Sequence, residues 1–145
     1  MAARRLGQVL GGKGKVALIG FMPGSASTME RESAFQGELK QKFPQMQMVS
    51  LLSGMAGRAK AMAATDNVLA ANPDLTGLFA GNESSSSGAV QALKSRNGRH
   101  VKLVAFDSSE RLVADCKAGW IDSLAVQDPF RMGYEATRAI GLKPR

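Results

Sequence analysis

Apolar and polar positions along the chain fall into a repeating two-part pattern. An unbroken apolar run, Val16-Ala17-Leu18-Ile19, leads into the glycine-containing loop Gly20 to Ser25, and Phe35, Leu39 and Phe43 then recur at the four-residue spacing of an amphipathic helix. A continuous apolar run bounded by turn residues marks a strand buried on both faces, as in a parallel sheet. Ser27-Thr28-Met29-Glu30 has the residues of a capping box, with the Ser27 hydroxyl on a free backbone N–H and Glu30 reaching back. This predicts a helix start at Ser27 and puts Arg31 in the first turn.

The same succession recurs to the end of the chain. After Pro44, Met46 to Leu52 predicts a second strand that alternates Met46, Met48 and Ser50 against Gln47, Val49 and Leu51. Ser53 to Gly57 is a loop, and Arg58 to Ala71 reads as an alanine-rich helix stopped by Asn72-Pro73-Asp74. Leu75 to Ala80 is a third strand, followed by Gly81-Asn82-Glu83. The small residues Ser84 to Ser87 then open a helix containing Ala89, Val90 and Leu93, where they allow close approach to the sheet or a ligand. Val101 to Phe106 is a fourth strand, with Asp107-Ser108-Ser109 capping a helix that Gly119 ends. Ile121 to Val126 is a fifth, leading to Asp128 as N-cap and Pro129 as first residue of a last helix with the face Phe130, Gly133, Tyr134, Thr137 and Ile140. Ahead of the first strand, Leu6, Val9 and Leu10 form a short helical stripe that Gly11-Gly12 stops.

Five strand–helix units predict an α/β fold: a doubly wound, parallel five-stranded sheet in a three-layer sandwich. Right-handed crossovers bring all five strand ends to one edge. The expected division is a partial helix and turn over 1–14, a single α/β ligand-binding lobe over 15–128, and a helix and tail over 129–145.

Composition changes this picture little. A chain of 145 residues, 44% hydrophobic and 21% charged, is expected to form one core without a disulfide or metal staple. The formal charge of +7 would favour an anionic partner if the basic residues were clustered. They are scattered over Arg4-Arg5, Lys13 and Lys15, Lys94 to Lys102 and Lys143 to Arg145, with no recognition-helix pattern, so they read as solvated surface and no nucleic acid is expected as partner. The single Cys116, beside Leu112 and Val113, reads as a buried small hydrophobe. No apolar run approaches a membrane span of roughly 18 residues. The start Met-Ala-Ala-Arg-Arg is not followed by the apolar core of a signal peptide.

The chemistry lies at the strand ends, which carry Phe21, Met22 and Arg31, then Met55 and Ala56, then Asn82, Asp107 and Gln127. Ligands of open α/β sheets bind at this edge. Arg31, Asn82, Asp107 and Gln127 are planar groups that form paired hydrogen bonds with vicinal hydroxyls, the chemistry of a polyol or monosaccharide. Singly, Asn82 and Asp107 read equally well as helix caps and Arg31 as half of a surface ion pair. Their convergence favours ligand binding. Catalytic patterns are thin: His100 falls in a polar turn on the opposite edge, and no Walker A sequence, nucleophile elbow or metal-ligand spacing occurs. Gly12-Lys13-Gly14-Lys15 precedes a strand, where a dinucleotide fingerprint must follow one. A binding protein without cofactor or metal is the expectation. The alternative is an enzyme using Gly20 to Ser27 as an anion site for a phosphorylated small molecule.

Six motifs in this order resemble the carboxyl-terminal lobe of periplasmic sugar-binding proteins of the ribose-binding type. They are residues 24 to 35, Asn72-Pro73-Asp74-Leu75, Leu78 to Glu83, Gly88 to Leu93, Val104-Ala105-Phe106-Asp107 and Val126-Gln127-Asp128-Pro129. The resemblance implies a type I periplasmic binding protein lobe in an ABC-type sugar transporter, outside the cytoplasm and partnered by a membrane permease. It also implies that Arg31, Asn82, Asp107 and Gln127 contact the sugar. Where the family often carries a stacking aromatic, this chain has Ala56, leaving Phe21 or Met55 as apolar cover. Lactose-repressor-type regulators share the core, and an effector-binding domain is therefore a related alternative. Family members enclose their ligand between two lobes, and the helix after Gln127 packs on the other lobe. Its apolar residues here are expected to fold back on the sheet or to meet a second copy of the chain.

Overall fold

In the computed structural model, which describes residues 1–98 and 100–141, each apolar run is a strand: β1 (Lys13–Gly20), β2 (Gln45–Ser53), β3 (Leu75–Ala80), β4 (Lys102–Phe106) and β5 (Ser123–Ala125). All pair in parallel, in the order β2-β1-β3-β4-β5. The helices are α1 (Ala2–Val9), α2 (Ala26–Lys42), α3 (Arg58–Ala71), α4 (Glu83–Ser95), α5 (Glu110–Lys117) and α6 (Pro129–Gly141). Arg99 and the Lys143 to Arg145 tail lie outside the described residues.

The two-sided burial inferred for the strands has a direct cause. Val16 and Leu18 face a core with Ala3 and Leu6 of α1, Phe35 and Leu39 of α2, and Phe79. Ala17 and Ile19 face the other way, into a core with Ala61 and Val68 of α3, Val90 and Leu93 of α4, and Leu112 of α5. Each buried aliphatic side chain contributes about 1.5–3 kcal/mol relative to exposure, which is why polar residues are driven from the central strands. The result is the doubly wound three-layer sandwich.

Helices α3 and α4 meet closely at Gly88. A Cβ there would lie 2.6 Å from Ala61 Cβ and 2.7 Å from both Arg58 O and Met62 N. Backbone cannot yield as a side-chain tip can, so Gly88→Ala is expected to cost about 1–3 kcal/mol. Chemical denaturation checks this; an unchanged midpoint would show that the helices separate freely.

Several local expectations are corrected. Gly24, at φ +92, turns the chain into α2 earlier than the capping box implies. Ser25 is the N-cap, its carbonyl accepting Met29 N–H at 2.9 Å, while Thr28 Oγ1 donates to the same oxygen and Ser27 is exposed. Arg31 therefore stands in the second turn. In β2, Val49 is an extra residue opposite Val16 and Ala17, and this bulge breaks the alternation so that Leu51 is exposed. Strand β5 begins only at Ser123; just before it, Asp122 N–H donates to Leu103 O at 2.8 Å and the Asp122 carboxylate accepts Leu103 N–H at 2.9 Å. Of the trio Asp107-Ser108-Ser109, Ser109 is the N-cap of α5, as the sequence allowed, though without a side-chain bond. Asp128 does cap α6, accepting Arg131 N–H at 2.9 Å. That helix does not fold back on the sheet: residues 129–140 are all exposed.

Candidate functional site

The carboxyl ends of β3, β4 and β5 gather the polar residues. Helix α4 starts at Asn82 because its Oδ1 accepts Ser85 N–H at 3.3 Å, while Nδ2 donates to Ser84 Oγ at 2.9 Å. The cap role and the edge position are one arrangement. Behind it, the wholly buried Ser85 and Ser86 do more than leave room. Ser85 Oγ donates to Gly20 O at 2.8 Å. Ser86 Oγ lies 2.8 Å from Asn82 O and 3.0 Å from Phe106 O, and accepts Phe106 N–H at 3.0 Å. Two hydroxyls thus tie the ends of β1, β3 and β4 together.

Asp107 has φ +72, and its N–H donates to Ala125 O at 2.9 Å. Its Oδ2 accepts Glu83 N–H at 3.0 Å, at the amino end of α4, and its Oδ1 accepts Gln127 Nε2 at 3.1 Å. Gln127 is otherwise open to solvent. Arg31 reaches across from α2, Nη1 donating to Gly81 O at 2.5 Å with the guanidinium 3.4 Å above the Phe106 ring centre. Burial lowers its pKa from the ordinary arginine value, opposed by the charges of Asp107 and Glu32. With five N–H donors in a plane and one used at Gly81, the group retains donors for a ligand.

Phe21 and Met55 stand over β1 and β2 at the same edge. Phe21 O accepts Ser53 Oγ at 2.6 Å and Ala56 N–H at 3.4 Å, which ties the two loops. Met55 and Ala56 have φ of 47 and 56, and Met55 is exposed. The structure thus brings Arg31, Asn82, Asp107 and Gln127 to β3–β5, with Phe21 and Met55 on the neighbouring half. Glu32, absent from the sequence reading, joins the halves: its Oε1 accepts Phe21 N–H at 2.9 Å. Phe106, the ring beneath Arg31, was likewise read only as strand core. Cavities of about 320 Å³ beside Arg31, Phe79 and Phe106, and about 620 Å³ beside Asp107, Gln127 and Met132, open on this edge.

Among the described residues no His, Cys, Asp and Glu side chains cluster as metal ligands. His100 is exposed at the amino end of β4, away from the site. No described helix is long and apolar enough to cross a membrane.

A family model described as "Periplasmic binding protein domain" matches residues 1–141. The chain belongs to the periplasmic binding protein family. Within it, the chain is 32% identical to the ribose import binding protein of Bacillus subtilis (strain 168), over 96% of its own length and 44% of that protein's. It is 28% identical to the D-apiose import binding protein of Actinobacillus succinogenes, covering 94% and 44%. Among solved structures it superposes on a carbohydrate transporter solute-binding protein from Agrobacterium radiobacter in complex with D-arabinose, with TM-score 0.88 and 29% identity, covering 95% of this chain and 49% of that one. A solute-binding protein from Agrobacterium vitis bound with α-D-tagatopyranose gives TM-score 0.87 and 32% identity, covering 92% and 45%. This periplasmic binding protein chain spans about half the length of the relatives it matches.

Proposed function

We propose that this chain forms one side of a binding site for a monosaccharide or similar polyol, in the solute-binding component of an ABC-type sugar transporter. The observation that carries the reading is the gathering of Arg31, Asn82, Asp107 and Gln127 at adjacent strand ends. Asp107 and Gln127 present an acceptor and an amide side by side, Arg31 adds fixed donors, and vicinal hydroxyls match such pairs. The sugars named for the relatives support the same class. The role is recognition without catalysis, outside the cytoplasm, with delivery to a membrane permease.

Closure of the site comes from a second lobe or a second copy of the chain. Helix α6 offers the surface for it: Phe130 is 85% and Ile140 75% exposed, with Met132 and Tyr134 beside them. Alone, the described edge is an open shelf, whereas good small-molecule sites bury most of their ligand.

Titration of the chain with D-ribose and D-arabinose, followed by amide NMR, tests this. Shifts centred on Asn82, Asp107 and Gln127 with Kd of about millimolar are expected, the weak end of specific binding. Micromolar affinity would defeat the half-site reading. Binding of sugar phosphates with no response to free sugars would replace the sugar reading with the phosphate-site alternative.

A further inference from the structure

We propose that Glu32 is the positioning residue of this site, seating Phe21 and Arg31 together through a carboxylate that occupies the space left by Gly20. Arg31 and Glu32 are consecutive in α2, yet each is pegged to a different strand end. Arg31 Nη1 donates to Gly81 O after β3, and Glu32 Oε1 accepts Phe21 N–H after β1. Those strands are direct neighbours in the sheet. One turn of one helix therefore fixes the spacing between the Phe21 loop and the guanidinium.

The carboxylate lies where a side chain at position 20 would stand: a Cβ on Gly20 would be 2.7–2.8 Å from its atoms and would displace it, whereas one on Gly81, at 3.6 Å, would only touch it. Glu32 is half-buried, and its bonded partner is a backbone N–H, so it does not act as a surface ion pair; a charge-assisted bond of this kind is stronger than a neutral one. Its charge also acts on Arg31, together with that of Asp107. Without Glu32, the Phe21 amide loses its acceptor, and among the described residues the hydrogen bond from Arg31 to Gly81 O is what still ties the second turn of α2 to the strand ends.

The consequence for binding rests on the sugar reading, and the test separates the two. Glu32→Ala, Glu32→Gln and Gly20→Ala are compared with the unaltered chain by hydrogen exchange of the Phe21 amide, the Arg31 Nε resonance, thermal midpoint and titration with D-ribose. Glu32→Ala is expected to speed Phe21 exchange and to weaken ribose binding, each by about tenfold, the loss of one hydrogen bond to a charged group. It should also move the Arg31 resonance. Glu32→Gln retains an accepting oxygen and keeps both quantities within about threefold of the unaltered chain. Gly20→Ala should displace the carboxylate, reproducing the Phe21 and Arg31 changes, and should add little to them in the Glu32→Ala background.

Unchanged Phe21 exchange and Arg31 resonance in Glu32→Ala would overturn the proposal. So would Glu32→Gln as damaging as Glu32→Ala, or a binding loss accounted for by lowered global stability. If the unaltered chain gives no response to ribose, the sugar reading fails, while Phe21 exchange and the Arg31 resonance still decide the role of Glu32. Should Glu32→Ala not fold, Glu32→Gln and Gly20→Ala decide it by the same two measurements.

Discussion

Arg31→Ala is expected to weaken sugar binding by at least about a hundredfold, since it removes several charge-assisted hydrogen bonds at once. The guanidinium is fixed by Gly81 O on one side and the Phe106 ring below, so its free donors are presented without loss of side-chain freedom on binding. Its removal also takes away the cation on which the charges of Asp107 and Glu32 act. Arg31→Lys should not restore binding, because an ammonium is a point charge that lacks the planar fork. The fold should survive at reduced stability: Arg31 is only partly buried, but Gly81 is buried, and its carbonyl left without a donor costs about 1–3 kcal/mol. Titration with ribose beside circular dichroism checks both halves. Retention of affinity within about threefold in a folded variant would remove Arg31 from the site.

Phe79→Ala should be the more damaging change to stability, at about 3–5 kcal/mol. Phe79 is fully buried in the middle strand of the sheet and stacks on Phe35 with ring centres 4.3 Å apart. The void is large because the whole ring is removed from a core shared with Ala3 and Leu6 of α1 and Phe35 and Leu39 of α2. For a domain of this size the melting midpoint should fall by about 6–20 °C, at roughly 2–4 °C per kcal/mol. The contrast is Phe130→Ala on exposed α6, expected to fall within about 0.5 kcal/mol of the unaltered chain. A midpoint for Phe79→Ala within about 3 °C of the starting value would contradict this account of the core.

The sequence-derived reading was most accurate where burial alone sets the pattern. Arg58 to Ala71 and Leu75 to Ala80 were delimited as they stand in α3 and β3, since Pro73 and the onset of apolar residues mark both boundaries. It failed where a local motif competes with a turn. The Ser27 to Glu30 box is sound in composition, yet Gly24 commits the chain to helix before it. Bulges are invisible in the same way: Val49 fits an alternating strand until its partners in β1 are known. The polar edge residues were legible because topology alone puts strand ends together. Glu32 was not, because its place is defined by the missing side chain of Gly20, distant in sequence and complementary only in space. Ser85 and Ser86 were read for their size, whereas their hydroxyl bonds to other strand ends need three dimensions to be seen.

The left-handed backbone at Asp107 limits how the protein can evolve a new ligand preference. At φ +72 only Gly, Asn and Asp are at ease, so lengthening to Glu keeps the carboxylate but strains the chain beneath it. Met55 and Ala56, at 47 and 56, show that other unbranched residues are accommodated in this region, while β-branched residues are disfavoured at all three positions. Phe21 and Gln127 are not among the positive-φ positions and accept a far wider alphabet. A randomised library should therefore recover a wider range of viable residues at Phe21 and Gln127 than at Asp107, whose short carboxylate and left-handed backbone are met together by few side chains.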